Sequence, residues 1–119
     1  MSIATWKKEF FGSMSKATRS DRAAIKHALR KWEGLKKENL KKHGVRHPSG
    51  HYIEDEDASW DVSGFSCALC HRHHHCDGCP IRQCSGSTFS PWFKWASRGN
   101  PNPMLRVLRA ALKKLEATA

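Results

Sequence analysis

The stretch Cys67-Ala-Leu-Cys70-His-Arg-His-His-His-Cys76-Asp-Gly-Cys79-Pro-Ile-Arg-Gln-Cys84 constrains this chain more than any other, because it gathers five thiols into eighteen residues. Two C-x-x-C pairs lie in it. In such a pair a short turn lets two thiolates converge on one ion while neighbouring backbone N–H groups spread their charge, the arrangement of structural zinc sites. Gly78 gives the second turn its conformational freedom and Pro80 restrains the exit. Four soft ligands in a tetrahedron favour zinc over hard cations. The chain needs such a staple. Leu, Ile, Val and Phe are only 20 of 119 residues, about 17%, and the net charge is +10, a balance typical of unstructured chains. A structural zinc brings an apparent binding free energy of about 10 to 16 kcal/mol, against about 5 to 15 for the whole stability of a domain. The five Trp are the other source of burial.

Five Cys compete for four positions. Cys67 and Cys70 with Cys76 and Cys79 is the symmetrical set, and Cys84 replaces Cys76 if the His-rich bridge is too short. His71, His73, His74 and His75 add three-Cys, one-His alternatives, although a surface His run beside a filled site is the plainer reading. An iron–sulfur cluster is disfavoured because the ferredoxin spacing is not met. Disulfides fit poorly with an odd count in a cytosolic chain. Catalysis is disfavoured as well: a hydrolytic zinc keeps a position open for water, the deaminase H-x-E signature is absent, and no βαβ pattern accompanies the C-x-x-C pairs. The sequence therefore reads as non-enzymatic.

Length predicts one domain, residues 1–119. No run approaches the roughly 18 apolar residues of a spanning helix, and the start MSIATWKKEFF lacks a secretion pattern, so a cytoplasmic location is expected. Charge divides the chain: residues 1–46 carry +9, 47–66 carry −5, 67–84 carry +1 and 85–119 carry +5. Two basic blocks thus flank an acidic one, which favours an anionic partner.

The first block predicts a short amphipathic start (Ile3, Trp6, Phe10, Phe11), a break around Gly12 to Ser15, and then one long helix opening at Thr18 and Asp21 and stopping at Gly44. Ile25, Ala28, Leu29, Trp32, Leu35 and Leu40 fall within one sector of it about 140° wide, the width of a core-facing stripe. Lys26, Arg30, Lys31, Lys37, Lys41 and Lys42 make a basic flank around that stripe. The acidic block reads as a long loop with room for a short hairpin between Tyr52-Ile53 and Trp60-Asp61-Val62. Asp57-x-Ser59-x-Asp61 matches the start of a calcium loop, but Val62 stands where Gly is needed and no Glu follows. The acidic loop is better placed to fold back on the basic helix or to discourage binding on one side. Ser90-Pro91 opens a piece carrying Trp92, Phe93 and Trp95 that stops at Gly99, its aromatic rings suited to the core more than to stacking on bases. Asn102, as cap, and Pro103 open the last helix, with Met104, Leu105, Leu108, Leu112 and Leu115 as its buried stripe. The fold class expected is mostly α: a small zinc-stapled helical domain.

Trp32 in a charged helix, then Cys67-Ala-Leu-Cys70, Cys76-x-x-Cys79-Pro80-Ile81, Cys84 and Ser90-Pro91-Trp92 together resemble a family of small zinc-binding proteins encoded by bacteriophages, over roughly residues 25–95. The interval between Cys79 and Cys84 is shorter than in the related sequences, and the Pro-aromatic pair lies farther on, which leaves the last ligand open. The resemblance implies an accessory protein acting in a bacterial cytoplasm and carries no chemistry with it. The expected function is nucleic-acid binding through phosphate contacts from Lys26, Arg30, Lys37 and Lys41, with Arg106, Arg109 and Lys113 contributing from the last helix. The competing expectation is an inhibitor that binds an acidic surface of a host protein with the same residues.

Overall fold

A computed structural model describes residues 2–48, 50–62, 68–73 and 91–117. The protein is mostly helical. In chain order the described elements are α1 (Ile3–Phe10), α2 (Met14–Ala17), α3 (Asp21–Gly34), α4 (Lys37–Lys42), β1 (Tyr52–Glu54), β2 (Ser59–Asp61), α5 (Ala68–His73), α6 (Pro91–Arg98) and α7 (Asn102–Ala117).

Helices α1, α2 and α3 each start at a serine whose hydroxyl accepts from a backbone N–H of the first turn, whereas α4 starts at Lys36 with no side-chain cap. Ser2 and Thr5 form a reciprocal capping box on α1: Ser2 Oγ accepts from Thr5 N at 3.3 Å and Thr5 Oγ1 accepts from Ser2 N at 2.9 Å. Ile3, Trp6 and Phe10 then recur on one face and are buried. The expected break beyond α1 is shorter than read, because Ser13 caps α2 within it. The cap of α3 is Ser20, accepting from Ala23 N at 3.1 Å, and Thr18 instead closes α2. The last helix begins at Asn102, with Pro101 O accepting from Leu105 N and Asn100 Oδ1 accepting from Asn102 N, so the cap lies before the expected position.

The predicted long helix is two helices. Residues 37 and 38 would continue the ladder by donating to Glu33 O and Gly34 O. Those carbonyls are engaged by side chains: Asn39 Nδ2 donates to Glu33 O at 2.8 Å and the Trp6 indole N–H to Gly34 O at 2.7 Å. Lys36 is extended (ψ 144°), and α4 departs in a new direction. Gly34 also admits Phe10, whose ring atoms lie 2.4 to 2.8 Å from where a Cβ would stand.

α3 is the hub. It packs against α7 and α5 most extensively, and also against α1, α2 and α4. Its stripe is buried as read at Ile25, Ala28, Trp32 and Leu35, with Leu29 only half-buried. One residue of the basic flank is misread: Lys31 is 1% exposed, with Nζ donating to Val62 O at 3.2 Å. α7 runs antiparallel to α3, bringing Arg22 to Glu116 and Arg109 to Glu33. Trp6, Trp32 and Trp95 supply much of the buried volume, confirming the core role expected of Trp95. Trp95 packs edge-on against Trp32 with ring centroids 5.4 Å apart.

The acidic loop contains the short antiparallel hairpin, with Ile53 opposite Trp60. Asp55 Oδ1 closes its turn by accepting from Asp57 N and Ala58 N, while Oδ2 accepts from Ile3 N at 2.8 Å. Its carboxyl is held below the usual range, chiefly by the Ile3 N–H. The loop's ion pair is not with the basic helix: Glu54 meets Arg46, beyond the end of α4, at 2.8 Å, and Asp55 fastens the first turn of α1, where a negative charge suits the helix dipole.

Candidate nucleic-acid interface

The C-terminal ends of α4 and α6, with residues just beyond α4, build a concavity. α4 ends in a Schellman motif: Gly44 adopts φ 68°, Gly44 N donates to Lys41 O and Val45 N to Leu40 O. Leu40 and Val45, the hydrophobic pair of that motif, are both buried. α6 ends in the simpler left-handed cap, with Gly99 at φ 70° and its N–H donating to Trp95 O at 2.7 Å. His47 and Gly50 tie the two ends together: His47 lies flat on Trp95 at 4.0 Å between centroids and 13° between planes, and Gly50 N donates to Ala96 O.

Between these ends lies an open groove of about 680 Å³. Its apolar lining comes from Leu35, Leu40, Val45 and Pro48, and its charged lining from Lys37, Lys41, Arg46 and Arg98. No carboxylate is among its lining residues. Lys37, Lys41 and Arg98 are exposed and have no ion-pair partner among the described residues, whereas Arg46 shares its charge with Glu54. A smaller concavity of about 350 Å³ shares Lys37 and Gly99 and adds Lys36, Asn100, Pro101, Asn102 and one carboxylate, Glu38. Both helix ends present partial negative charge, so any attraction for an anion comes from the four side chains and not from the backbone.

The seven cations read from sequence do not act alike. Lys37 and Lys41, one turn apart on α4, stand on the groove. Lys26 on α3 and Arg106 and Lys113 on α7 are exposed but do not line it. Arg30 is committed to structure: its guanidinium donates to Glu9 O at 2.5 Å and Lys8 O at 3.1 Å, pinning the last turn of α1. Arg109 meets Glu33 at 3.1 Å in an exposed pair. Arg46, His47 and Arg98 were not singled out. A signal was present, since Arg46 follows and Arg98 precedes a helix-stopping glycine, but only the fold brings residues 46 and 98 together.

Of the expected metal ligands, Cys67, Cys76, Cys79 and Cys84 lie outside the described residues, as do His74 and His75. Cys70 falls on the backbone of α5. His73 is engaged at Nε2 with Asp21 Oδ1 at 2.7 Å, beside Arg72 Nε at 2.8 Å on the same oxygen. Burial works to raise the Asp21 carboxyl, but these two donors outweigh it and hold it below the ordinary carboxylate range. The pair docks the helix that carries Cys70 onto the first turn of α3. Among the described residues no group of three or more His, Cys, Asp or Glu is placed to hold a metal.

Two further groups have chemical potential and a structural use. Thr5 Oγ1, His43 Nδ1, His43 Nε2 and Glu9 Oε1 form a hydroxyl–imidazole–carboxylate series with gaps of 3.0 and 2.6 Å. The Thr5 hydroxyl is spent on the cap, donating to Ser2 O, and Glu9 also binds Lys42, so the series fastens α1 to the end of α4. His43 and then Lys42 hold the Glu9 carboxyl below its ordinary value. His27 is buried edge-on against Phe11, and neither ring nitrogen makes a hydrogen bond of ordinary geometry. Burial, and next the Lys31 charge, lower its pKa, with the Phe11 carbonyl a partial counterweight.

No helix among the described residues is long and apolar enough to cross a membrane. Comparison with protein-family models, with curated proteins and with solved structures finds no match.

Proposed function

We propose that this protein is a non-enzymatic nucleic-acid-binding protein whose phosphate contacts come from the groove between the ends of α4 and α6, with Lys37, Lys41, Arg46 and Arg98 as its cations. The observation that carries the reading is the groove's charge: three cations with no ion-pair partner among the described residues, and one shared with Glu54, around a concavity with no lining carboxylate. Lys26, Arg106 and Lys113 add long-range attraction from other surfaces, and Arg30 is withdrawn from the binding set because its donors are used within the fold. The fold stability that this requires is supplemented by a structural zinc held by four of Cys67, Cys70, Cys76, Cys79 and Cys84, a reading that rests on the C-x-x-C spacing. The resemblance of its motif order to phage-encoded proteins is the ground for proposing that it works in the cytoplasm of a bacterial host.

Binding of this kind is dominated by counterion release. About four neutralised phosphates give a slope of roughly −3 in log affinity against log salt, a loss of about a hundredfold between 50 and 200 mM. A mobility-shift titration tests this directly: a shift at low salt that collapses over that interval, and that Lys37→Glu with Lys41→Glu abolishes, supports the reading. No shift for DNA or RNA at any salt overturns it in favour of an acidic protein partner. For the metal, native mass spectrometry should show one zinc ion, and chelation should unfold the protein. A metal-free protein with an unchanged thermal transition would remove the zinc from the account.

A further inference from the structure

We infer that the groove selects single-stranded over double-stranded nucleic acid, seating bases on its apolar floor while its rim holds the phosphates; this rests on the nucleic-acid reading above. Charge alone would serve either form. What distinguishes them is the floor. Leu35, Leu40 and Val45 close the bottom of the concavity but are themselves buried in the core, so the apolar surface it offers is that of exposed Pro48 and the half-buried His47 ring, set among Lys37, Lys41, Arg46 and Arg98. A duplex keeps its bases paired and stacked inside and offers such a floor only sugar and phosphate, leaving apolar surface without an apolar partner. A single strand offers both chemistries at once, the combination of cationic track and base platform that sequence-tolerant single-strand binders use.

Size and rigidity agree. About 680 Å³ lies within the range of sites that hold small organic ligands, room for one or two nucleotides. The walls are preformed: Leu40 and Val45 are locked by the Schellman motif, and His47 is held flat on fully buried Trp95 while its Nε2 meets Gly50 O at 2.8 Å. His47 lines the groove, so a planar ring backed by a second ring stands beside the floor. Because the carbonyl ends of two helices meet there, phosphates are kept to the rim, where the side chains reach them, and the interior is left to the uncharged bases.

The test is fluorescence anisotropy at low salt with labelled twelve-nucleotide strands of deoxythymidine and of uridine, a twelve-base-pair duplex, and a single strand of abasic sugar-phosphate. Both base-bearing strands should bind at least tenfold more tightly than the duplex and the abasic strand. Lys37→Glu/Lys41→Glu/Arg98→Glu should cost at least tenfold on single strands. The off-groove set Lys26→Glu/Arg106→Glu/Lys113→Glu, of equal charge change, should cost less than threefold. Unchanged thermal transitions verify that both triple variants fold. Equal binding of duplex or abasic strand, with the groove variants still the damaging ones, overturns the single-strand inference while leaving the groove as a phosphate site. Equal damage from the two variant sets, or equal competition by polyglutamate, overturns both.

Discussion

The seam where α1 meets α3 and α4 and the groove between the ends of α4 and α6 are both rich in cations, yet they use them in opposite ways. At the seam Arg30 is spent on two carbonyls of α1 and Lys42 on Glu9, which the His43 imidazole also meets. At the groove Lys37, Lys41 and Arg98 have no ion-pair partner among the described residues. Lys41 and Lys42 are neighbours in sequence and fall on opposite sides of this division. Net charge therefore says little about binding until the internal uses are subtracted.

The strongest way to break the contrast is to exchange the consequences. Trp6→Ala, at a residue with no exposure and with an indole N–H that holds Gly34 O, should destabilise the protein by about 3 to 5 kcal/mol in urea unfolding. The triple groove variant should move stability by less than about 0.5 kcal/mol, as expected of exposed sites, while weakening single-strand binding at least tenfold. If the groove variant destabilises as much as Trp6→Ala, the groove cations are structural and the contrast fails. Gly34→Ala comes next: the added carbon meets the Phe10 ring, and a cost of about 1 to 3 kcal/mol is expected, read from the shift of the unfolding midpoint.

Acid sharpens the same comparison. His27 is held below its ordinary value by burial, so the unfolded chain binds the proton more readily and stability is complete above about pH 6.5 and declines as pH falls below it. Glu9, Asp21 and Asp55 are also held low, so their contributions are present above about pH 4.5 and are lost at lower pH still. Thermal melts from pH 7 to 3 should show two successive losses, and His27→Leu should remove the first alone. A single loss near pH 4 in both proteins would exclude His27 as the source. The smallest effect concerns Arg109: its pair with Glu33 is exposed on both sides, and Arg109→Ala should cost no more than about 0.5 to 1 kcal/mol by the same unfolding assay.

Local pattern carried much of the fold. The burial of Ile3, Trp6 and Phe10, most of the α3 stripe, the stops at Gly44 and Gly99 and the hairpin around Asp55 all follow from periodicity or turn chemistry within a few residues. The break at Leu35-Lys36 does not. It depends on Trp6 reaching across 28 residues to Gly34 O, which no window on the sequence contains. Lys31 was misplaced for a related reason: a lysine on the flank of a stripe reads as solvated until Val62 O arrives to receive it. The groove was half legible. Lys37 and Lys41 were found as a helix face, while Arg46 and Arg98 belong to turns whose proximity is a product of tertiary packing, and the cysteine ligands lie outside the described residues.

The central place of α3 has a consequence for synthesis on the ribosome. Its partners are spread through the chain, from α1 before it to α7, which ends 83 positions after Gly34. At translation rates of about 5 to 20 residues per second, Ile25, Ala28 and Trp32 wait roughly 4 to 17 s for the last surface that covers them. Completion of this fold is thus a late event for the nascent chain, and the cysteine-rich stretch is made during the interval in which the central helix is still partly bare.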